Sequence, residues 1–157
     1  MLGIGAATAV MGKASAMVDC PIQSAFDYVG YGLFEHYRVW CPQVVELDVI
    51  SQGPVCVGTM ASQVTLDRGI TTESTFRIAE FDPPKIVELE GVSDPFRSIY
   101  LLEEAGAASI SLIFSFEIRE LELFMRPFKK LVRAALQEGA QQTVENLKQL
   151  LEEHAAS

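Results

Sequence analysis

Cysteine and histidine are scarce in this 157-residue chain, and cations are outnumbered. The three cysteines, Cys20, Cys41 and Cys56, are odd in number and lack C-x-x-C spacing. That pattern excludes a disulfide framework or a structural zinc site, and reduced thiols point to the cytoplasm. With only His36 and His154, a histidine-rich metal centre has no ligands, so neither metal nor cofactor is expected. Twelve Lys and Arg face twenty-one Asp and Glu, a net charge of −9. Non-specific binding to nucleic acid, which needs phosphate-neutralising cations, is thereby disfavoured. The longest apolar stretch, Met1 to Gly12, is too short to span a bilayer, and its first cation, Lys13, follows it where a secretory signal has cations in front. It is read as a loose extension over residues 1–7 leading into a strand from Thr8 to Val18, with no integral membrane segment. Ser/His/Asp spacing, a G-x-S-x-G elbow and a phosphate-cradling glycine loop are all missing.

What is present is a hydrophobic fraction of 49 %, enough for one globular domain with its own core. Leu121 to Ser157 holds five basic and five acidic residues, so the whole acidic excess falls on the preceding portion. Pro21 opens a short helix with Ile22, Ala25, Phe26 and Val29 on one face. A second helical turn covers Leu33 to Val39 and ends before Pro42. From Val44 the hydrophobic period becomes two, and six further strands follow, punctuated by turns at Ser51–Pro54, Arg68–Gly69, Asp82–Pro84, Val92–Pro95 and Glu104–Ala107. From Leu121 to Leu151 the period lengthens to that of one amphipathic helix, with Pro127 starting or kinking it. Seven strands joined by short turns predict an antiparallel sheet whose apolar face the long helix covers.

Several features, taken in order, carry a resemblance: Asp19, Cys20 and Pro21; Trp40, Pro42 and Val45; Gly53, Pro54, Val57, Gly58 and Thr59; Phe81 to Pro84; Tyr100 to Glu103 with Gly106; and Glu145, Asn146 and Leu147. Between about Val10 and Glu152 the chain resembles the polyketide cyclase/dehydrase branch of the START-like (SRPBCC) superfamily. The resemblance implies an α+β helix-grip fold: a curved seven-stranded antiparallel sheet wrapped around a long C-terminal helix, with two short helices after the first strand. It also implies a hydrophobic cavity between sheet and helix. Members include aromatase/cyclases, lipid and hormone binders, quinone-binding proteins and co-chaperones, so the site must decide the function.

Strand parity places Ile110, Leu112, Phe114 and Phe116 toward the helix, with Phe96, Ser98, Tyr100 and Leu102 beside them and Thr72, Ser74, Phe76 and Ile78 further along. The expected ligand-contacting set is Trp40, Met60, Ser74, Phe76, Ser98, Tyr100, Phe114 and Phe116 from the sheet side, closed by Phe124, Met125, Phe128 and Val132 of the helix. For any one of these aromatics, ordinary core packing is the competing reading. Histidine is the residue type whose unperturbed pKa lies near neutrality, which makes His36 the natural general-base candidate, although the sequence shows no partner for it and a surface histidine is the competing reading. Tyr100 and Ser74 complete the catalytic candidates. Glu73, Arg77 and Arg97 share the outward parity and suggest cross-strand ion pairs. Arg126, Lys129, Lys130 and Arg133 form a basic cluster, read either as an ordinary solvated helix face or as a surface suited to an acidic partner or an anionic headgroup.

The leading expectation is a domain that binds or carries a small hydrophobic molecule, such as a lipid, an aromatic polyketide-like compound or an isoprenoid, with no catalytic constellation in view. The alternatives are a cyclase/dehydrase-type enzyme using the same cavity and a co-chaperone-like interaction module.

Overall fold

The computed structural model describes residues 9–157; the loose extension expected over residues 1–7, and Thr8, lie outside the described residues. The chain forms β1 (Val10–Val18), α1 (Ile22–Phe26) running into a π turn (Asp27–Tyr31), and α2 (Leu33–Trp40). There follow β2 (Val44–Val49), β3 (Met60–Asp67), β4 (Ile70–Asp82), β5 (Ile86–Gly91), β6 (Phe96–Gly106) and β7 (Ser109–Ile118). A 3-10 segment, Leu123–Phe128, precedes α3 (Lys129–Ala156). The strands make one antiparallel sheet in the order β1-β7-β6-β5-β4-β3-β2, the helix-grip architecture.

The turns follow from their residues. Arg68 and Gly69 both take positive φ, 53° and 80°, the pairing that a two-residue hairpin matched to sheet twist requires. Pro83 and Pro84, joined by a cis bond, separate β4 from β5. Alternation then sets the faces: Phe76, Ile78, Val87, Leu89, Tyr100, Leu102, Ile110, Leu112 and Phe114 are all buried. On the outer face Arg77 and Arg119 both pair with Glu90, at 3.2 and 3.0 Å, and Arg97 pairs with Glu117 at 3.0 Å. Arg77 and Arg97 thus form cross-strand ion pairs, with Glu90 and Glu117 as the acids in place of the expected Glu73. Glu90 is the shared acceptor, and the two guanidiniums hold its carboxyl below the usual range, the Arg77 hydrogen bond contributing most.

α3 lies chiefly on β1 and β7. Its buried residues, Ala140, Thr143, Val144, Leu147 and Leu151, all belong to its C-terminal two thirds. Three polar links tie it to β1: the Gln137 amide donates to the Lys13 carbonyl (2.7 Å) while accepting from the Lys13 N–H (2.9 Å), and Lys148 donates to the Met17 carbonyl (2.7 Å). The long helix read from Leu121 onward is thus two elements, because Pro127 cannot donate into an α-helical ladder.

Candidate functional site

The first half of the C-terminal segment does not seal against the sheet, and a half-open recess of about 630 Å³ lies there. One wall comes from the neighbouring strands β3 and β4: Gln63 and Thr65 on one, Thr72 and Ser74 on the other. The facing wall is apolar, with Phe96, Phe116, Ile118, Leu121, Met125 and Val132. Tyr37 and Cys41, at the end of α2, also line it. At its borders stand Asp67, Asp94, Glu120 and Glu122 against the single cation Arg68.

Gln63 is only 7 % exposed. Its Nε2 donates to Ser74 Oγ at 3.1 Å, while its Oε1 is buried without a hydrogen-bond partner. A buried acceptor left unpaired costs on the order of 1–3 kcal/mol, so a group that donates to it gains what the fold forgoes. Among the described residues one other buried side-chain polar atom is unpartnered, Arg97 Nε, and Arg97 does not line the recess.

The two ionisable groups of α2 at the recess are kept protonated. Burial pushes the Cys41 thiol up to about 12, outweighing hydrogen bonds from Tyr37 and the backbone that favour the thiolate. Burial likewise raises Tyr37 well above the ordinary phenol value. Near neutral pH both are therefore donors, not bases. Because the thiolate is the reacting species, Cys41 should be alkylated slowly at pH 8 and faster as pH approaches 12. Cys20 is buried with a raised pKa as well, whereas Cys56 is exposed. Thiol titration of the folded protein at pH 8 should accordingly show one fast group, lost in Cys56→Ser, with the other two appearing on denaturation. Two or more fast thiols would contradict these environments.

Of the residues expected to contact a ligand, Ser74, Phe116, Met125 and Val132 line the recess. The others are placed elsewhere. Phe76, Tyr100 and Phe114 belong to a packed aromatic chain beneath it, where Phe76 meets Phe34 and Tyr37, and Tyr100 meets Trp40 and Phe114, at centroid separations of 4.9–6.3 Å. Trp40 is buried at 1 % exposure and donates through Nε1 to the Tyr100 hydroxyl at 3.2 Å. Burial raises the Tyr100 pKa far above the ordinary phenol value. Ser98 is buried outside the lining. Met60 points to the other face, because β3 begins there and its inward parity belongs to Ala61 and Gln63. Phe124 and Phe128, expected as a cavity wall, are exposed, since the 3-10 segment turns them outward. His36 is also not in the lining: its ring stacks on Tyr28 at 3.9 Å and its Nδ1 lies 3.2 Å from the Tyr28 carbonyl. The partner missing from the sequence reading is therefore a residue eight positions away.

Gln63, Thr65, Cys41 and Tyr37 were not singled out in the sequence. Inward parity on β3 is the signal for Gln63 and Thr65, and taking Met60 as inward puts both on the opposite face.

An antiparallel sheet gripping a C-terminal helix, with an open recess between β3, β4 and the helix entry, defines a START-like, helix-grip protein. The chain belongs to the polyketide cyclase / dehydrase and lipid transport family, whose model matches residues 11–152. Its role is accordingly that of a ligand-binding or cyclising protein. No curated protein sequence matches the chain. Among solved structures it is similar to the di-domain aromatase/cyclase StfQ of the steffimycin biosynthetic pathway, at 13 % identity and a TM-score of 0.78, over 99 % of this chain and 55 % of that one. It is also similar to the Zhui aromatase/cyclase from Streptomyces sp. R1128, at 10 % identity and a TM-score of 0.70, covering 92 % of this chain and 94 % of that one. Norcoclaurine synthase from Thalictrum flavum, solved with dopamine and hydroxybenzaldehyde, gives 15 % identity and a TM-score of 0.70, over 96 % and 91 %. At these identities the likeness concerns the fold.

Proposed function

We propose that the protein binds a small hydrophobic molecule bearing an uncharged hydrogen-bond donor, such as a phenol or an alcohol, in the recess between β3, β4 and the entry to the C-terminal helix. The observation that carries this reading is Gln63 Oε1, a buried acceptor without a partner beside the Gln63–Ser74 hydrogen bond of the polar wall. An apolar wall of two phenylalanines, Ile118, Leu121, Met125 and Val132 supplies the hydrophobic contact, and the few polar points opposite orient the ligand. Four carboxylates against one guanidinium at the border disfavour an anionic ligand, which separates this class from fatty acids. The three free thiols fit a reducing compartment, and a cytoplasmic location is part of the reading.

A matched set tests it: 1-naphthol, naphthalene and 1-naphthoate, titrated calorimetrically. The expected order is naphthol, naphthalene, naphthoate. Gln63→Leu should reduce the preference for naphthol over naphthalene by about fivefold, one charge-free hydrogen bond being worth roughly 1 kcal/mol. Absence of binding to all three, or an unchanged preference in the variant, would overturn the reading.

A further inference from the structure

The segment that leads into α3 exposes large apolar side chains on its outer side: Leu123 is 75 % exposed, Phe124 69 %, Phe128 51 % and Leu131 69 %. Those four fall within nine consecutive residues. The same stretch, Leu123 to Arg133, carries Arg126, Lys129, Lys130 and Arg133 and not one acid, in a chain whose net charge is −9. Glu122 bounds it on one side and Glu138 on the other. Apolar anchors interleaved with cations on a short helical segment match a lipid interface of negative charge, where the rings enter the acyl boundary and the cations stay with the phosphates.

The geometry points to a peripheral docking face for an anionic lipid bilayer over Leu123–Arg133, with Leu123, Phe124, Phe128 and Leu131 entering the interface and Arg126, Lys130 and Arg133 meeting the headgroups. Its occupant is decided by charge and apolar cover together. A second copy of the chain placed two-fold on this face would set four cations against four, and nucleic acid, whose bases stack on rings, would leave Leu123 and Leu131 without apolar cover. The position adds a consequence. Met125 and Val132 of this segment line the recess, and Arg68 and the 68 %-exposed Ile70 of the β3–β4 turn line it from the other side. Docking therefore brings the Met125 and Val132 side of the recess next to the membrane, the source from which a sparingly soluble molecule is taken. The docked orientation keeps the four carboxylates at its borders away from the headgroups. The docking face itself does not depend on what the recess binds.

Co-sedimentation with vesicles tests this on the full chain without added ligand, using phosphatidylcholine alone and phosphatidylcholine mixed with phosphatidylglycerol, at low and high salt. The protein should sediment with the anionic vesicles, less so at high salt, and little with the neutral ones. Lys130→Glu with Arg133→Glu should lower partitioning about 20-fold or more, each cation near such a surface contributing roughly fivefold. Phe124→Ser with Leu131→Ser should lower it by about tenfold with the basic residues intact. All four side chains are exposed, so the circular dichroism of both variants should match the parent. No sedimentation with anionic vesicles at low salt, or partitioning unchanged in both double variants, overturns the proposal. So does a concentration-dependent dimer that Phe124→Ser with Leu131→Ser abolishes, since the face would then be a contact between copies. Naphthol binding, measured separately, reports on the recess and is expected to survive both double variants.

Discussion

Trp40→Ala is expected to destabilise the protein by about 4 kcal/mol, the range in which a fully buried Trp truncated to Ala falls. Two losses combine. The indole is 1 % exposed and packs against Tyr37, Tyr28 and Tyr100, so its removal leaves a cavity in the aromatic chain beneath the recess. Its Nε1 also donates to the Tyr100 hydroxyl, which is left in a buried setting without that donor. Domains are typically stable by about 5–15 kcal/mol, so this substitution consumes much of the total and should lower the melting temperature by roughly 10 °C. Trp40→Phe separates the two effects, since it keeps most of the ring volume and loses only the donor; it should cost about half as much. The backbone link from Asn146 to the Trp40 carbonyl, 3.1 Å, remains in both. Denaturation followed by circular dichroism measures this, and a loss under about 1.5 kcal/mol for the alanine variant would contradict the packing described.

The second large effect concerns Gly12 on β1. A Cβ there would collide with the Leu136 carbonyl and lie 2.6 Å from the Gln137 nitrogen, both backbone atoms of α3. Backbone cannot swing aside as a side-chain tip does, so Gly12→Ala must push helix from strand and is expected to cost about 3 kcal/mol. It should also weaken the paired Gln137 and Lys13 hydrogen bonds, visible as faster amide exchange at Lys13. Gly139, in the same helix, provides the control. A Cβ there meets nothing within 4 Å, so Gly139→Ala should stabilise by about 0.5–1 kcal/mol through helix propensity alone. Equal effects of the two substitutions in thermal unfolding would contradict the close approach of β1 and α3.

The contrast between these glycines also separates what is legible in a sequence from what is not. Both are single glycines in regular elements, and nothing local distinguishes the one that touches another backbone. The same holds for the aromatics. Phe76, Tyr100 and Phe114 have the inward parity of Phe116, and parity correctly turns them all away from solvent. Which of them faces a recess and which a packed neighbour depends on where α3 lies along the sheet, and it lies on β1 and β7, meeting the β1 backbone at Leu136 and Gln137 and burying side chains from Ala140 onward. Phe124 and Phe128 share the spacing of the apolar helix face, yet the 3-10 geometry before Lys129 turns them out and leaves Met125 and Val132 at the recess.

The acidic excess on the sheet portion and the basic cluster at the helix entry are properties of composition, readable without coordinates. Their opposition at one end of the molecule is a property of the fold. Asp67 at the end of β3, Asp94 between β5 and β6, and Glu120 and Glu122 after β7 border the same recess, beside the helix entry with its four cations.

By itself the sequence determined the order of seven strands and three helices, the hairpin at Arg68–Gly69, and the antiparallel sheet, because hydrophobic period, turn residues and proline act over a few neighbouring residues. Only the tertiary structure decided that the aromatic cluster is core, that Gln63 sits unpaired on a recess with Ser74, and that the helix entry presents phenylalanines outward. Those outcomes depend on sheet curvature and on the seat of one helix, set by contacts between residues more than a hundred positions apart, such as Lys13 with Gln137.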